Sequence, residues 1–216
     1  MPKPGPSPQL AQIRPLDRDF FSRDPRRVAR ELLGKILVRQ EHEALRSGRI
    51  VEVEAYLGTE DPAAHSAAGN TARTAVLFGP PGYAYVYFIY GNHYCLNVSC
   101  EPEGQAGGVL IRALEPIAGI AEMARARGVE IHGPKDLVKL TSGPGRLAEA
   151  FGITRMRDNG VDLTCPESRL WIGEDGYRAR DIRVTPRIGI TKAADKPLRY
   201  VLGENAYVSG RRVGVK

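Results

Sequence analysis

Residues 83–100 read YAYVYFIYGNHYCLNVSC, a sequence typical of two β-strands joined by a tight turn. The run at 83–90 is rich in β-branched and aromatic residues, which favour strands. Gly91-Asn92 is a dipeptide typical of a two-residue hairpin turn, and the residues from 93 onward return as a second strand. An antiparallel hairpin therefore stands at the centre of the predicted fold.

Further strands are predicted on both sides of this hairpin. Upstream, residues 49–56 alternate, so that Val51, Val53 and Ala55 face one way and Glu52, Glu54 and Tyr56 the other. The other predicted strands are KILVR (35–39), GVLIRAL (108–114), LWI (170–172), IRVTPRIGI (182–190) and LRYVL (198–202). Strands dominate, which predicts an α+β single domain built on a curved, largely antiparallel β-sheet with a protruding β-hairpin.

Short helices are predicted around the sheet. The segment 24–34 begins with a capping Asp24, has Pro25 at the first helical position and ends at Gly34. A second helix is predicted to open at Pro116 and end near Gly128, and a third covers 146–151.

The length of 216 residues suits one domain with a single core. Residues 1–15 are predicted to be a flexible Pro-rich leader, and 16–216 the single domain. The sequence has no apolar run long enough to span a membrane and no signal-peptide core at its N-terminus. Three cysteines without a CxxC pair argue against a disulfide framework and a zinc site. We therefore expect a cytoplasmic protein with no membrane partner. We also expect a monomer.

The chain is basic, and most of its positively charged residues are arginines. There are 31 Lys plus Arg residues against 25 Asp plus Glu, for a formal net charge of +6, and lysine supplies only 7 of the 31. Arginine binds phosphate oxygens in a fork, so the composition suits a polyanionic partner. A basic protein without such a partner fits the charge equally well.

The first candidate site follows the alternating strand. Glu54 and Tyr56 share a strand face, and His65 follows after a loop. The carboxylate could take a proton from water, the ring could stack on a planar base and the histidine could hydrogen-bond its edge. The alternative is that Glu52 and Glu54 form a solvated strand face and that His65 is an ordinary loop residue.

Arg112 is the second candidate, because it interrupts the apolar run VLIRAL. A buried arginine needs a carboxylate partner. Glu54 is one possible partner; Glu115 or another carboxylate would give Arg112 a purely structural role.

The hairpin and a Gly-rich segment supply the remaining candidates. Tyr83, Tyr85 and Tyr87 share a face, and Tyr90 directly precedes the turn, where it could enter a gap in a base stack. Alternatively the tyrosines are core residues or cross-strand pairs, which suits Tyr85 better than Tyr90. Residues 141–146, TSGPGR, precede a helix and could hold a phosphate or simply cap that helix.

Taken together, these segments resemble the alkyladenine (3-methyladenine, or methylpurine) DNA glycosylase family. The matching stretches run from about residue 17 to 208 in the family's order: RELLGKILVR, GRIVEVEAYLGTEDPAAHS, PPGYAYVYFIYGNHYCLNVS, VLIRALEP, TSGPGRL, RIGI and KPLRY. The resemblance implies a monofunctional enzyme of base-excision repair that flips alkylated or deaminated purines out of double-stranded DNA. It would hydrolyse the N-glycosidic bond and leave an abasic site. The implied substrates are 3-methyladenine, 7-methylguanine, hypoxanthine and ethenoadenine, and no metal or organic cofactor is implied.

The resemblance also implies roles for single residues. Glu54 would be the general base that activates the hydrolytic water. Arg112 would help to hold that water, together with the backbone carbonyl of Ile188. Tyr56, His65 and Tyr87 would surround the flipped base, and Asn97 and Leu110 would shape the floor of the pocket. Tyr90 would fill the gap in the duplex. The implied phosphate contacts are Arg73, Arg127, Gly145, Arg146 and Arg155.

The chain departs from the family's pattern in three places. Asn92 follows Tyr90-Gly91 where the family often has Met. The loop 100–107 is slightly longer than in the mammalian enzymes. Residues 71–74 read TART where the family has a TPRN-like segment. The long N-terminal extension of mammalian members is absent, which suits a compact bacterial-type enzyme.

Two other functions fit part of the same evidence. A non-catalytic damage-binding protein would use the same wedge and pocket, but pure binding needs neither Glu54 nor Arg112. An RNA-binding β-barrel module would also combine basic charge with exposed tyrosines.

Overall fold

The computed structural model describes residues 12–41, 44–89 and 91–210. Within them, nine strands form one antiparallel sheet in the order β1-β7-β2-β3-β6-β5-β4, with β9 on β3 and β8 on β9. The strands are β1 (Arg14–Pro15), β2 (Ile36–Glu41), β3 (Ala44–Tyr56), β4 (Ala84–Ile89), β5 (His93–Ser99), β6 (Gly108–Ala118), β7 (Leu170–Glu174), β8 (Ile182–Thr185) and β9 (Arg199–Leu202). The sheet curls into a half-barrel, and the fold is a single α+β domain, as predicted.

β3 is the central strand, because it lies in the middle of the strand order and pairs with three other strands. β6 follows one edge over most of its length. On the other edge β2 pairs as far as Arg49, and β9 takes its place at Glu52–Glu54. Val51, Val53 and Ala55 face the core as predicted, and Glu52 and Glu54 on the opposite face are fully buried as well.

Seven short helices surround the sheet among the described residues. They are α1 (Arg18–Phe21), α2 (Pro25–Leu32), α3 (Ala75–Phe78), α4 (Ile120–Arg127), α5 (Pro134–Thr141), α6 (Pro144–Ala150) and α7 (Arg155–Asp158). The predicted start of α2 is confirmed: Asp24 accepts a hydrogen bond from the Arg26 amide, and Pro25 occupies the first position. Val28 and Leu32 bury its apolar face in the core.

Several predicted boundaries were wrong. Pro116 does not open a helix, because β6 continues to Ala118 and α4 begins only after Gly119, whose φ is +77°. The strand predicted over 182–190 stops at Thr185, because Pro186 has no N–H to donate to the sheet.

The hairpin also differs from the prediction. Ile89 pairs with His93, so three residues, 90–92, separate β4 from β5 instead of two. Gly91 supplies a positive φ of +73° in that turn. Tyr90, the predicted wedge, lies outside the described residues.

The N-terminal leader was predicted to extend to residue 15. Residues 1–11 lie outside the described residues. Arg14 and Pro15 form β1 and pair with Glu174 and Gly173 of β7, so the sheet begins before the predicted boundary. No helix in the described part of the chain has the length and apolar character needed to cross a membrane.

Candidate active site

One row of directly opposed residues crosses five strands and contains much of the predicted site. Glu54 of β3 lies opposite Arg199 of β9 and Leu110 of β6. Leu110 lies opposite Asn97 of β5, and Asn97 opposite Tyr85 of β4. Because opposed residues in an antiparallel sheet project from the same face, the fold brings Glu54, Leu110 and Asn97 together.

Glu54 is fully buried and held by three donors. Its Oε1 accepts the backbone N–H of Ile188 at 2.8 Å and lies 3.2 Å from Nη1 of Arg112. Its Oε2 accepts the Tyr56 hydroxyl at 3.0 Å. The alternative of a solvated strand face is therefore wrong, and the donors fix the orientation of the carboxylate. Ile188 makes this contact through its N–H; the role predicted for its carbonyl stays a prediction.

A β-bulge directs the side chain of Arg112 towards Glu52 and Glu54. Glu52 pairs with Ala113 and Val53 with Ile111, which leaves Arg112 outside the pairing. Its Nε donates to Oε1 of Glu52 at 2.8 Å. Burial acts to lower the pKa of Arg112, but the two carboxylates outweigh it and raise that pKa. Glu54 is thus confirmed as a partner of Arg112.

Glu52 is a partner of Arg112 that the sequence interpretation missed. Its Oε1 also accepts from Nε of Arg199 at 2.8 Å, and its Oε2 from the backbone N–H of Ser209 at 2.6 Å. Burial acts to raise the pKa of Glu52, but Arg112 and Arg199 prevail and lower it. The two-residue spacing from Glu54 was the available signal, because it places both carboxylates on one strand face. The alternative partner Glu115 instead accepts a hydrogen bond from Asn205.

An aromatic cavity of about 220 Å³ opens beside this cluster. The His65 and Tyr87 ring centroids are 4.5 Å apart at an angle of 80°, and those of Tyr85 and Tyr87 are 5.6 Å apart. Burial, and secondarily Glu54, raises the pKa of Tyr56, while burial and then Cys95 raise that of Tyr87. Both hydroxyls therefore stay protonated at neutral pH. The residues predicted for base binding that line this cavity are Tyr56, His65, Tyr87 and Asn97.

A second cavity, of about 360 Å³, shares one wall with the first. Arg112, Leu110, Ile188 and the start of α6 line it. Leu110, predicted for the floor of the base pocket, thus belongs to the neighbouring cavity. The common wall consists of Tyr56, Tyr87, Ile89, Gly189 and Ile190. A planar group in the first cavity could therefore carry its substituent in the second, next to the residues that hold Glu54.

Hydrogen bonds define the tautomer of His65. Its Nε2 lies 3.3 Å from Nη2 of Arg73, and its Nδ1 lies 2.9 Å from the Tyr85 hydroxyl. A guanidinium only donates, so Nε2 accepts and Nδ1 carries the proton. Burial lowers the pKa of His65, and the charge of Arg73 lowers it further. The ring is therefore neutral at pH 7.

A buried ion pair that the sequence interpretation missed stands behind Tyr56. Asp61 and Arg187 make two hydrogen bonds, at 2.5 and 2.9 Å, and the Arg187 guanidinium lies 4.6 Å from the centre of the Tyr56 ring. Their separation of 126 positions explains why no local pattern pointed to them.

The residues predicted to contact phosphate differ in their surroundings. Arg73, Arg146 and Arg155 are exposed. Arg127 is largely buried and pairs with Glu149 of α6. At Gly145 a Cβ would come within 2.9 Å of the His93 ring, so the glycine permits α6 to approach β5 closely.

Comparisons with known proteins point to one family. Residues 19–206 match the family model described as methylpurine-DNA glycosylase. A protein of Koribacter versatilis strain Ellin345, named "Putative 3-methyladenine DNA glycosylase", is 64% identical over 207 residues, which cover 96% of this chain and 99% of that protein. Proteins with the same name are 50% identical in Rhodopseudomonas palustris strain HaA2, with 90% of each chain covered, and 46% in Alkaliphilus oremlandii strain OhILAs, with 90% of this chain and 98% of the relative covered.

Proposed function

The chain belongs to the methylpurine-DNA glycosylase family, and from this premise we propose that it flips alkylated or deaminated purines out of double-stranded DNA and hydrolyses their N-glycosidic bonds. The observation that carries the proposal is Glu54, a buried carboxylate whose partner Tyr56 lies in the wall between the two cavities and whose partners Arg112 and Ile188 line the second cavity. The candidate substrates are 3-methyladenine, 7-methylguanine, hypoxanthine and ethenoadenine.

In the proposed complex the flipped base occupies the aromatic cavity. Alkylation at N3 or N7 makes a purine electron-poor, so it stacks better on the electron-rich rings of Tyr56 and Tyr87. Alkylation also improves the base as a leaving group. Neutral hypoxanthine lacks both advantages, so its recognition rests on hydrogen bonds, for which His65 and Asn97 are available.

Hydrolysis in this proposal uses water as the nucleophile. Glu54 removes the proton from a water molecule that Arg112 and the carbonyl of Ile188 help to hold. Its negative charge also faces the positive charge that develops on the sugar in an oxocarbenium-like transition state. Among the described residues that line the two cavities, none is a lysine, which supports a monofunctional enzyme without a strand-cleaving lyase step.

Three of the proposed DNA contacts, Arg73, Arg146 and Arg155, lie near the two cavities. Burial raises the pKa of Tyr85, and the charges of Arg73 and Arg155 oppose that rise, so both arginines lie near this ring. Arg73, Arg146 and Arg155 are exposed and can meet phosphates, Arg73 while it also contacts His65, whereas Arg127 would have to leave Glu149 first. One copy of the chain supplies all of these groups, so we propose a monomer as the active form.

Incubation with a duplex that contains 7-methylguanine or inosine tests the proposal. We expect release of the free base and strand breaks that appear only after alkali, because the product is an abasic site. Binding without base release would indicate a damage-binding protein. Breaks that appear without alkali would indicate a lyase.

Tyr90→Ser tests flipping separately from bond cleavage. An aromatic ring in the base stack contributes about 1–3 kcal/mol, so the substitution should shift the flipping equilibrium towards the stacked state by roughly 10–100-fold. Ethenoadenine fluorescence in a duplex follows this step before cleavage. A normal flipping equilibrium in the folded variant would remove Tyr90 from the proposal.

A further inference from the structure

Asp61 and Arg187 form an ion pair that is completely shielded from solvent. Both side chains have 0% exposure. The Asp61 carboxylate also accepts the backbone N–H groups of Leu57 and Ala63, at 3.2 and 3.1 Å. Arg187 donates to the carbonyl oxygen of Ala55 at 3.1 Å. An arginine with no exposed surface cannot contact a phosphate, so its charge acts inside the protein.

The cationic end of this pair lies against Tyr56. The guanidinium carbon is 4.6 Å from the ring centre, within the range of a cation–π contact. Tyr56 lines the aromatic cavity, and a base stacked there must use the ring face that Arg187 leaves uncovered. The base and the guanidinium would then lie on opposite sides of one ring. Adding a stacking distance of about 3.5 Å places them roughly 8 Å apart.

We propose that Asp61, by neutralising Arg187 behind Tyr56, sets the preference of the pocket between positively charged and neutral bases. This inference rests on the proposed function. A guanidinium without its carboxylate would draw electron density from the ring and repel a cationic base across it. Asp61 cancels that charge, so Tyr56 remains attractive to a cationic purine. At roughly 8 Å in the protein interior, one uncompensated charge is expected to change binding on the order of tenfold.

Asp61→Asn tests the proposal with two substrates. The measurement is single-turnover excision, with enzyme below saturation, of 7-methylguanine, which is cationic in DNA, and of hypoxanthine, which is neutral. We expect the ratio, defined as the rate for 7-methylguanine divided by the rate for hypoxanthine, to fall by about tenfold. The double variant Asp61→Asn/Arg187→Gln removes both charges, and the ratio should return towards that of the wild type even where both rates are lower.

Arg187→Gln alone supplies the opposite change. It leaves Asp61 without its cation, so the ratio should not fall, because any charge that remains at this place is negative. A fall in the ratio would overturn the proposal even if Asp61→Asn does not fold. Asp158→Asn is the matched control, because it breaks the equally buried Arg39–Asp158 pair, joined at 2.9 Å, whose members line neither cavity. It should lower thermal stability and leave the ratio unchanged.

The possible outcomes separate this inference from the proposed function. A wild-type protein that releases neither base would contradict the proposed function itself. If the wild type releases both bases and Asp61→Asn lowers the two rates in proportion, the pair is only structural and the inference fails. A ratio that falls in Asp61→Asn and does not recover in the double variant would overturn it as well.

Discussion

Glu52 and Glu54 lie two positions apart on one face of β3, yet their neighbours differ in kind. Glu52 is held by the guanidinium groups of Arg112 and Arg199, which lower its pKa and keep it ionised. Glu54 is held by a backbone N–H and a tyrosine hydroxyl, and shares only one guanidinium group, that of Arg112. Glu52 therefore anchors the shared arginine, while Glu54 remains next to the cavities where a reaction can occur.

The protonation of His65 gives a prediction at the residue scale. Arg73→Gln removes the positive charge next to Nε2, so the pKa of His65 should rise, while burial keeps it below the ordinary value of 6.5. NMR titration of the imidazole measures the change. An unaltered titration would contradict the contact between Arg73 and His65.

The same shift has a consequence for stability. The unfolded chain takes up a proton on His65 near pH 6.5 and the folded chain only at lower pH, so the free energy of unfolding should decrease as pH falls below 6.5. In Arg73→Gln the folded pKa lies closer to 6.5, and this histidine's contribution to the decrease should be smaller. Chemical denaturation at pH 7 and pH 5 compares the two proteins.

At the scale of single residues, the sequence predicted the groups that belong to one short stretch. Glu54, Tyr56 and His65 stand within twelve positions, and the structure brings all three to the site. Asp61 and Arg187 could not be paired in advance, because 126 positions separate them and only the folded chain brings them together.

The loop that follows β3 depends on a glycine, which gives a prediction at the element scale. Gly58 has a φ of +82°, and a Cβ there would overlap the carbonyl oxygen of Ala106. Gly69 has the same φ of +82° and no heavy atom within 4 Å of an added Cβ, so it is a matched control. Gly69→Ala should cost about 1–2 kcal/mol for the strained backbone. Gly58→Ala should cost about 1–3 kcal/mol more, because the loop must also move.

Thermal and chemical denaturation of the two variants test this difference. Equal losses in the free energy of unfolding would show that the loop does not pack closely against Ala106.

At the scale of elements, periodicity predicted strands well and their ends poorly. The alternation over 49–56 lies in β3, and residues 84–89 of the aromatic run form β4, because each strand has one face packed in the core. The errors occurred at Pro116, Pro186 and the hairpin turn. At Pro116 the pairing with β3 extends β6 beyond the local pattern, and at Pro186 the missing N–H ends β8 within the segment predicted as one strand.

At the scale of the whole molecule, the order of the sheet separates two exposed arginines. In the order of the sheet, β4 and β1 lie at opposite ends. Arg155 of α7 lies near Tyr85 of β4, whereas Arg14 of β1 is 78% exposed at the other end. Arg155→Ala should weaken binding to all duplexes alike and reduce the salt dependence by roughly one unit.

Arg14→Ala is the control for that experiment and should leave the salt dependence unchanged. Affinity measured between low and high salt on two unrelated duplexes decides the question. An effect of Arg155→Ala on only one of the two sequences would exclude a phosphate contact.

The proposed hydrolysis depends on Glu54 as the group that activates water. Glu54→Gln keeps the size of the side chain and removes its negative charge, and the most direct measurement is single-turnover excision of 7-methylguanine beside binding to the same duplex. We predict that binding and the fold are retained while excision slows by at least about 10²-fold, the usual contribution of a general base. Excision at a near-normal rate by the folded variant would contradict the account.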